Sequence, residues 1–273
     1  MLKICEINEN QNGFGGIVEP SSKQEKNLPD FTKSLRKALS SRSFLIFRGF
    51  NVNDTNFESW TKKIGEPIKY SFGELLVMEV KKDTNQSQFT EHSMPFHQDT
   101  VINDSEKAHL LAFMCVEAPA YSYGGETLLS NNRAVVSSLS LEDKNFLLNS
   151  KISYKALHSS YYKGDGLCVQ SPIVKHPLLG VETFFLALDD YNDLNRNYEA
   201  KFLNTDISFS RQWMDKINTY LNQPSMYYTH HWLPGDIIVL DNYLVCHARN
   251  EFKKGAKRKL LRFALKVDEN FYD

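Results

Sequence analysis

The chain has 273 residues, of which 41% are hydrophobic, 12% aromatic and 24% charged, and its formal net charge is −1. These ordinary globular values exclude a chain that is disordered, collagen-like or coiled coil throughout, and the length allows one large β domain or two smaller ones. The charge balance gives no electrostatic reason to expect a nucleic acid or an anionic membrane as a partner.

The cysteines and the apolar runs bear on the cellular location of the protein. Four cysteines are scattered along the chain, and none belongs to a C-x-x-C pair: Cys5, Cys115, Cys168 and Cys246. This spacing argues against a disulfide framework or a zinc ribbon. No long apolar run follows Lys3, and no stretch approaches the roughly 18 apolar residues of a membrane span. We expect a soluble cytoplasmic protein without a signal peptide; a homo-oligomer is left open.

Few helices and many short strands are predicted along the chain. Apolar residues recur at helical spacing in the segments 31–39, 54–64 and 208–221, the first after a candidate cap at Asp30. Compact apolar runs that indicate strands occupy 43–47, 109–116, 237–240 and 259–267. The polar segment 81–94 lies between strand signals and predicts a mobile loop. This pattern favours a mainly β protein, an antiparallel barrel or jelly roll, with flanking α-helices.

Two segments carry candidate metal ligands. His97 and Asp99 lie two residues apart, and in a strand such side chains share one face and can converge on one ion. His247 follows the apolar run at 237–240. Two imidazoles and one carboxylate, with three positions left open, are the ligand set of non-haem Fe(II) oxygenases. Alone, H-x-D is a weak signal, because it occurs by chance in many proteins.

A basic strand near the end of the chain strengthens the signal. Read with a period of two, four residues share one face: Arg258, Leu260, Arg262 and Ala264. The opposite face is apolar and suits packing under helices. Two arginines then point into the barrel, where a buried charge needs an anion. Guanidinium groups bind carboxylates bidentately, so a dicarboxylate cosubstrate and an acidic substrate are natural ligands. A structural ion pair would give the same pattern at Arg262.

The order of these motifs resembles that of the taurine dioxygenase (TauD/TfdA) family of Fe(II)/2-oxoglutarate-dependent oxygenases. Thirty residues after His97 the family's G-G-[DE]-T-L segment and following helix stand here as GGETLLSNNRAVVSSLS. Its W-x-P-G-D…D-N…H-A-R segment stands as WLPGDIIVLDNYLVCHAR, which contains His247. The resemblance covers roughly residues 40–268. It implies a double-stranded β-helix (a jelly-roll, cupin-like barrel) as a single domain over residues 1–273.

The resemblance also implies a role for each matching residue. His97, Asp99 and His247 look like the iron ligands. Arg258 looks like the residue that pairs with the distal carboxylate of 2-oxoglutarate, with the Thr127 hydroxyl helping. Such an enzyme uses Fe(II), 2-oxoglutarate and dioxygen to oxidise a C–H bond of a small molecule. The carboxylate of Asp99 argues against a halogenase, since iron halogenases of this type lack it.

The predicted substrate site departs from that of taurine-oxidising members. Arg262 is similar to the arginine that holds the acidic group of their substrate. Their substrate loop has a histidine and a tyrosine, whereas the corresponding stretch here, 69–73, contains Tyr70 and Phe72. We expect these aromatic residues either in the substrate pocket or in ordinary packing. The loop looks closer to members that tailor amino acids or their derivatives in natural-product pathways, including the isonitrile branch.

We therefore predict hydroxylation or desaturation of a C–H bond of a small carboxylate-bearing substrate, an amino acid or a derivative of one in a biosynthetic pathway. Three alternatives stay open at this point. One is a dioxygenase of taurine or sulfonate catabolism, and another is a non-catalytic barrel that binds a metal and a keto acid. The last is a hydrolase that uses the same ligands with Zn²⁺, against which the two internal arginines argue.

Overall fold

The computed structural model describes residues 3–7, 13–22, 26–84, 86–103, 106–157, 167–191, 193 and 196–273. Most of the regular structure in these ranges is β-strand, so the prediction of a mainly β protein with flanking helices is confirmed. None of the helices within them is long and apolar enough to cross a membrane.

Five α-helices occur in the described part of the chain: α1 (Lys33–Arg42), α2 (Asp54–Ile64), α3 (Asn132–Ser138), α4 (Leu141–Leu148) and α5 (Ile207–Leu221). Helices α1, α2 and α5 are the three that the apolar spacing predicted. The N-cap of α1 is Thr32 rather than Asp30. Asn53 and Asn56 form a capping box at α2, and the Asp206 side chain caps α5. These side chains satisfy backbone N–H groups that have no partner inside the helix.

The strands are short, and two 3-10 turns lie between them at Ser87–Phe89 and Tyr121–Tyr123. In chain order the strands are β1 (Lys3–Cys5), β2 (Gly16–Glu19), β3 (Phe44–Phe47), β4 (Glu66–Pro67), β5 (Leu76–Met78), β6 (Met94–His97), β7 (Leu110–Glu117), β8 (Thr127–Asn131), β9 (Ile152–Ala156), β10 (Leu167–Gln170), β11 (Ile173–Lys175), β12 (Glu182–Phe184), β13 (Tyr198–Phe202), β14 (Tyr227–His230), β15 (Ile237–Asp241), β16 (Val245–Arg249) and β17 (Lys259–Lys266).

Two sheets position the site. The larger has the order β1-β2-β3-β15-β7-β17-β4, with β5 beside β17, and the smaller has the order β14-β8-β16-β6. A three-stranded sheet, β10-β9-β13, and the β11–β12 hairpin complete the β-structure of the described residues. The four predicted strands, β3, β7, β15 and β17, lie next to one another in the larger sheet.

The alternation predicted for β17 separates two apolar clusters. Leu261, Phe263 and Leu265 pack in a cluster that also contains buried side chains of α1 and α2. Leu260 and Ala264, on the other face, belong to a cluster shared by the larger and the smaller sheet. The face of β17 that carries Arg262 is therefore turned toward the space between the two sheets, and Arg258 immediately precedes this strand.

Candidate active site

The two histidines lie directly opposite each other on neighbouring strands. β16 pairs with β6 in a register that places His247 beside His97, and their ring centroids are 4.2 Å apart. The Nε2 atom of each histidine is 3.7 Å from Oδ1 of Asp99. One ligand atom from each of the three residues lies within 4.8 Å of the other two. The structure thus brings together the three residues that the sequence patterns selected.

Asp99 reaches this position by a route that the sequence did not predict. The expected continuous strand through H-x-D is wrong, because β6 ends at His97 and Asp99 lies beyond it. Asn242 fixes the backbone there: its Oδ1 accepts from the Asp99 N–H at 3.0 Å, and its Nδ2 donates to the Asp99 carbonyl at 2.9 Å. Gln98, buried between the two, donates to the Phe184 and Asn242 carbonyls. The backbone of Asp99 is therefore fixed by this asparagine rather than by strand pairing.

The donor set fits a divalent metal ion. Oδ1 of Asp99 is 3.7 Å from each Nε2 atom, which is too far for a hydrogen bond to either histidine. Nδ1 of His97 lies 2.9 Å from the Pro95 carbonyl, so Nδ1 carries the proton and Nε2 keeps its lone pair. Burial lowers the pKa of His97, and it lowers the pKa of His247 to about 3, so both imidazoles are neutral. Neutral imidazoles are the form that binds metal.

Asp99 supplies the negative charge of the site. Burial acts to raise its pKa, but the positive charge of Arg262 is the largest of the influences that lower the pKa overall. Nη1 of Arg262 donates to Oδ2 of Asp99 at 2.5 Å, which leaves Oδ1 facing the histidines. One ionised carboxylate and two neutral imidazoles can hold Fe(II), with room left for other ligands.

Arg258 lies between the sheets with the polar partners that the motifs suggested. Its Nε donates to the Gly125 carbonyl at 3.0 Å, and its Nη2 lies 3.4 Å from the Thr127 hydroxyl. The same hydroxyl accepts from Nε1 of Trp232 at 2.8 Å. Burial lowers the pKa of Arg258 to about 10, so the guanidinium stays charged at neutral pH. Within the described ranges no carboxylate forms an ion pair with it, which leaves it able to bind an external one.

The paired glycines before β8 are required by this close packing. Gly124 and Gly125 have φ angles of 79° and 85°, a region that other residues rarely adopt. A Cβ atom on Gly124 would lie 2.2 Å from the Glu251 carbonyl oxygen, and one on Gly125 would lie 3.2 Å from Cδ of Arg258. The G-G pair therefore lets the backbone approach the arginine.

Arg262 and Tyr70 form the next part of the wall. The Arg262 guanidinium pairs with Asp99 and lies 5.5 Å from the centroid of the Tyr70 ring. The Tyr70 hydroxyl is buried and has no hydrogen-bond partner among the described residues. Phe72 does not line the cavity: it stacks on Tyr70 at 5.0 Å and is 39% exposed. The expectation for Phe72 as a pocket residue is corrected, because the tight turn between Tyr70 and Gly73 directs it outward.

One cavity of about 170 Å³ is lined by the candidate metal ligands, both arginines and two hydroxyl residues: His97, Asp99, His247, Arg258, Arg262, Thr127 and Tyr70. Apolar side chains such as Met78 and Phe113 form much of its surface. The segment predicted as a mobile loop, 81–94, closes one side, apart from residue 85, which lies outside the described residues. Ser87 to Thr90 are buried, and Ser87 and Gln88 line the cavity. The polar composition did not reveal that this segment packs against the rest of the site.

Sequence reasoning missed one buried residue of this cavity, Arg249. It is the arginine of the H-A-R motif, two residues after His247, and it lines the cavity. Burial, and then the charge of Arg258, lower its pKa to about 9. Its place in the motif could have flagged it. Gln88 and Asn197, which meet at 2.8 Å in the cavity wall, lie in segments that carry no such pattern.

Comparison with known proteins gives relatives over nearly the whole chain. The chain is 24% identical over 253 residues to 3-((Z)-2-isocyanoethenyl)-1H-indole synthase of Fischerella ambigua, with 91% of each protein covered. It is 25% identical over 264 residues to tyrosine isonitrile desaturase of Pseudomonas aeruginosa, covering 93% of this chain and 87% of that protein.

Solved structures share the fold. The crystal structure of PvcB from Pseudomonas aeruginosa superposes with a TM-score of 0.75 at 20% identity, covering 97% of this chain and 92% of that one. PvcB is described as an Fe, alpha-ketoglutarate dependent oxygenase from an isonitrile synthetic pathway. The profile of the taurine catabolism dioxygenase TauD, TfdA family matches residues 14–264. The chain therefore belongs to the TauD/TfdA family of iron- and 2-oxoglutarate-dependent oxygenases.

Proposed function

We propose that this protein desaturates an amino-acid-derived isonitrile that carries a free carboxylate, with hydroxylation as the alternative outcome at the same site. The observation that supports the proposal is a single cavity that joins a three-donor metal site to two buried arginines, Arg258 and Arg262. Three ligand atoms leave coordination positions for a cosubstrate and dioxygen. Two separate guanidinium groups can bind two different carboxylates.

Each residue has a stated role in this proposal. His97, Asp99 and His247 hold the iron. Arg258 binds the distal carboxylate of 2-oxoglutarate, supported by the Thr127 hydroxyl. When bound, iron and 2-oxoglutarate supply the oxidising chemistry, in which dioxygen is consumed, 2-oxoglutarate becomes succinate and carbon dioxide, and two substrate hydrogens leave in water.

Arg262 and Tyr70 orient the substrate. The Arg262 guanidinium pairs with Asp99 and lines the cavity, where its positive charge can attract a substrate carboxylate. The buried Tyr70 hydroxyl beside it can donate to the same anion. The apolar part of the cavity wall, which includes Met78 and Phe113, excludes water and contacts the rest of the substrate. Phe72 supports the Tyr70 ring from the outer side.

The names of the relatives suggest the substrate class. Two similar proteins are named for tyrosine isonitrile and for an indole-bearing isonitrile. Both molecules are aromatic, and an aromatic ring suits a wall that contains Tyr70, Met78 and Phe113. The isonitriles of tyrosine and tryptophan are therefore the first candidates.

The test is succinate formation by the iron-loaded enzyme with each candidate. The isonitriles of tyrosine and tryptophan are compared with free tyrosine, free tryptophan and taurine, and the product is identified by mass. We expect succinate and a product lighter by two hydrogen atoms with an isonitrile only. Turnover of taurine alone would favour the sulfonate alternative. Iron and 2-oxoglutarate binding without stimulated succinate for any candidate would contradict the proposed substrate class.

We also propose that the two facing sheets form the double-stranded β-helix of this family and that residues 1–273 form one domain. The shared apolar cluster between the sheets supports the barrel.

A cytoplasmic location is supported by the four free cysteines, three of them buried.

A further inference from the structure

Arg249 is placed to act on the cavity through the strand that carries a metal ligand. It is the last residue of β16, two positions after His247 and on the same side of that strand. It is buried, at 7% exposure, and lines the cavity. Any segment that binds Arg249 is therefore connected directly to β16, the strand that carries His247.

The bonds of Arg249 all run to one segment. Nη2 donates to the Ser87 carbonyl at 2.9 Å and to the His92 carbonyl at 2.5 Å, and Nη1 donates to the Gln88 carbonyl at 3.3 Å. No carboxylate among the described residues lies within ion-pair distance of this guanidinium. Its charge is instead balanced by three carbonyl dipoles. We call residues 86–92 the entrance segment.

A second contact reinforces this attachment. The Phe252 N–H donates to the Glu91 carbonyl at 3.0 Å, and the Phe252 ring lies 5.6 Å from the guanidinium carbon of Arg249. Arg249 and Phe252 thus both bind the backbone of the entrance segment. Its other backbone bonds are local, from Phe89 to Gln86 and from Thr90 to Ser87, together with one from the Lys81 N–H to the Phe89 carbonyl at 2.9 Å.

The entrance segment in turn holds the opposite wall. The Gln88 side-chain oxygen accepts from Nδ2 of Asn197 at 2.8 Å, and both residues line the cavity. Gln88 also donates to the side chain of Gln86 at 2.8 Å. Without Arg249, the backbone of Ser87 and Gln88 would no longer be fixed. The Gln88–Asn197 hydrogen bond, which joins the two walls, would then be lost as well.

We infer that Arg249 is a positioning residue that holds the entrance segment closed over the cavity and thereby couples 2-oxoglutarate consumption to substrate oxidation. A cavity that excludes water protects the reaction from unproductive turnover. The structural part of this inference is independent of the substrate, whereas the coupling part rests on the proposed function.

The first measurement is hydrogen exchange of the full chain, loaded with Fe(II) and 2-oxoglutarate without oxygen. Arg249→Gln removes the fork that binds three carbonyls, and Arg249→Lys keeps the charge without the planar fork. Arg42→Gln is the matched control, since Arg42 donates to the Gly15 carbonyl at 3.1 Å away from the cavity. We expect the amides of Phe89 and Thr90 to exchange at least tenfold faster in both Arg249 variants and unchanged in the control.

Two results would overturn the inference. One is unchanged exchange at Phe89 and Thr90 in a folded Arg249 variant. The other is an equal increase in the entrance segment and in the central strand β7, which would mean a general loss of stability. If Arg249→Gln does not fold, Arg249→Lys carries the same comparison.

The second measurement is the ratio of succinate formed to product formed, with tyrosine isonitrile as substrate. We expect this ratio to rise severalfold in Arg249→Lys, while the Michaelis constant for 2-oxoglutarate changes less than twofold. A ratio equal to that of the wild type would refute the coupling role. If the wild type oxidises no isonitrile, the proposed function fails, and the exchange experiment still decides the position of the entrance segment.

Discussion

The cosubstrate end and the entrance end of the cavity are built in different ways. At the cosubstrate end, Arg258 is fixed by a backbone carbonyl of the G-G turn and by the Thr127 hydroxyl, all next to paired strands. At the entrance end, Gln88 and Asn197 come from segments outside the strands and meet through one amide hydrogen bond. Sheet-anchored groups keep one geometry, whereas loop residues can vary without disturbing the core. In the proposed function the first end binds 2-oxoglutarate, and the loop residues of the second end contribute to substrate selectivity alongside Arg262 and Tyr70.

Removing the metal-binding carboxylate should abolish function at both ends. Asp99→Ala takes away the anionic ligand and also the partner of Arg262. We expect iron affinity to fall by more than about 100-fold, since even outer partners of metal ligands contribute 10–100-fold. Iron retention and succinate formation measure the effect. The control is Asp143→Ala. Asp143 is also buried, but it pairs with the exposed side chain of Lys216. Tight iron binding by Asp99→Ala would show that the ligand set is misassigned.

A variant at Arg258 should affect the cosubstrate alone. Arg258→Gln leaves a carboxylate of 2-oxoglutarate unpaired in a buried site, at a cost of about 3–5 kcal/mol. The Michaelis constant for 2-oxoglutarate should rise by two or more decades, at about 1.4 kcal/mol per decade. Thr127→Val, which removes one neutral hydrogen bond of about 0.5–1.5 kcal/mol, should raise it by roughly tenfold or less. An unchanged constant in Arg258→Gln would place the keto acid elsewhere.

Acid should destabilise the metal-free protein through buried histidines. The pKa values of His97, His109, His230 and His247 are all lowered in the folded state, with burial as the main cause. The unfolded chain takes up protons near the ordinary value of 6.5, whereas the folded chain does so only at lower pH. The free energy of unfolding should therefore decrease as the pH falls below 6.5, by up to about 1.4 kcal/mol per unit for each histidine. Denaturant unfolding at a series of pH values measures it.

The matched variant for this titration is His230→Phe. His230 is fully buried, with its Nε2 3.3 Å from Oδ2 of Asp236 and its ring against Trp232. If its protonation contributes to acid sensitivity, the decrease below pH 6.5 should be shallower in the variant. An identical slope would exclude His230 from the effect.

A variant at Arg262 tests whether the two ends are independent. Arg262→Gln removes a substrate contact worth roughly 1.5–3 kcal/mol, so the Michaelis constant for the substrate should rise about 10- to 100-fold. Because Arg262 also orients Asp99, iron affinity should fall by about tenfold. 2-Oxoglutarate binding to the iron-saturated variant should change little. If only the iron affinity changes, Arg262 serves the metal and the substrate anion binds elsewhere.

The smallest expected effect belongs to the Tyr70 hydroxyl. Tyr70→Phe keeps the ring that stacks on Phe72 and lies near Arg262, and it removes only the O–H group. Loss of one hydrogen bond of about 0.5–1.5 kcal/mol should raise the substrate Michaelis constant by two- to tenfold. Phe72→Leu, on the outer side, should change it less. The reverse order would mean that Phe72 enters the pocket when substrate binds.

The sequence could predict the parts of this molecule that depend on periodicity and spacing. The two faces of β17 follow from strand alternation, and the helices α2 and α5 follow from apolar spacing. The convergence of His97 and Asp99 was predicted, but its cause was not, because the carboxylate depends on Asn242, far away in the chain. An ion pair at Arg262 was left open by the sequence, but its partner, Asp99, was not predicted. Strand spacing gives the face of a side chain but not its partner.

The contacts of the entrance segment lay beyond sequence reasoning for a related reason. Its polar composition is typical of an exposed loop, yet Ser87 and Gln88 are buried by a guanidinium that binds their carbonyls. Backbone carbonyls are the same in every residue, so no side-chain pattern marks them as partners. Only the fold brings Arg249 to them.

The dependence of Asp99 on Asn242 has a consequence for the order of assembly. The two residues are 143 positions apart, and the asparagine bonds both the N–H and the carbonyl of the ligand. Contacts of such sequence separation form late, because a large loop must close first. A nascent chain that ends before β15 can offer His97 and Asp99 but neither their fixed geometry nor His247. If His97, Asp99 and His247 bind the iron, the complete ligand set requires that β16 has paired with β6, so we expect metal loading to follow that pairing.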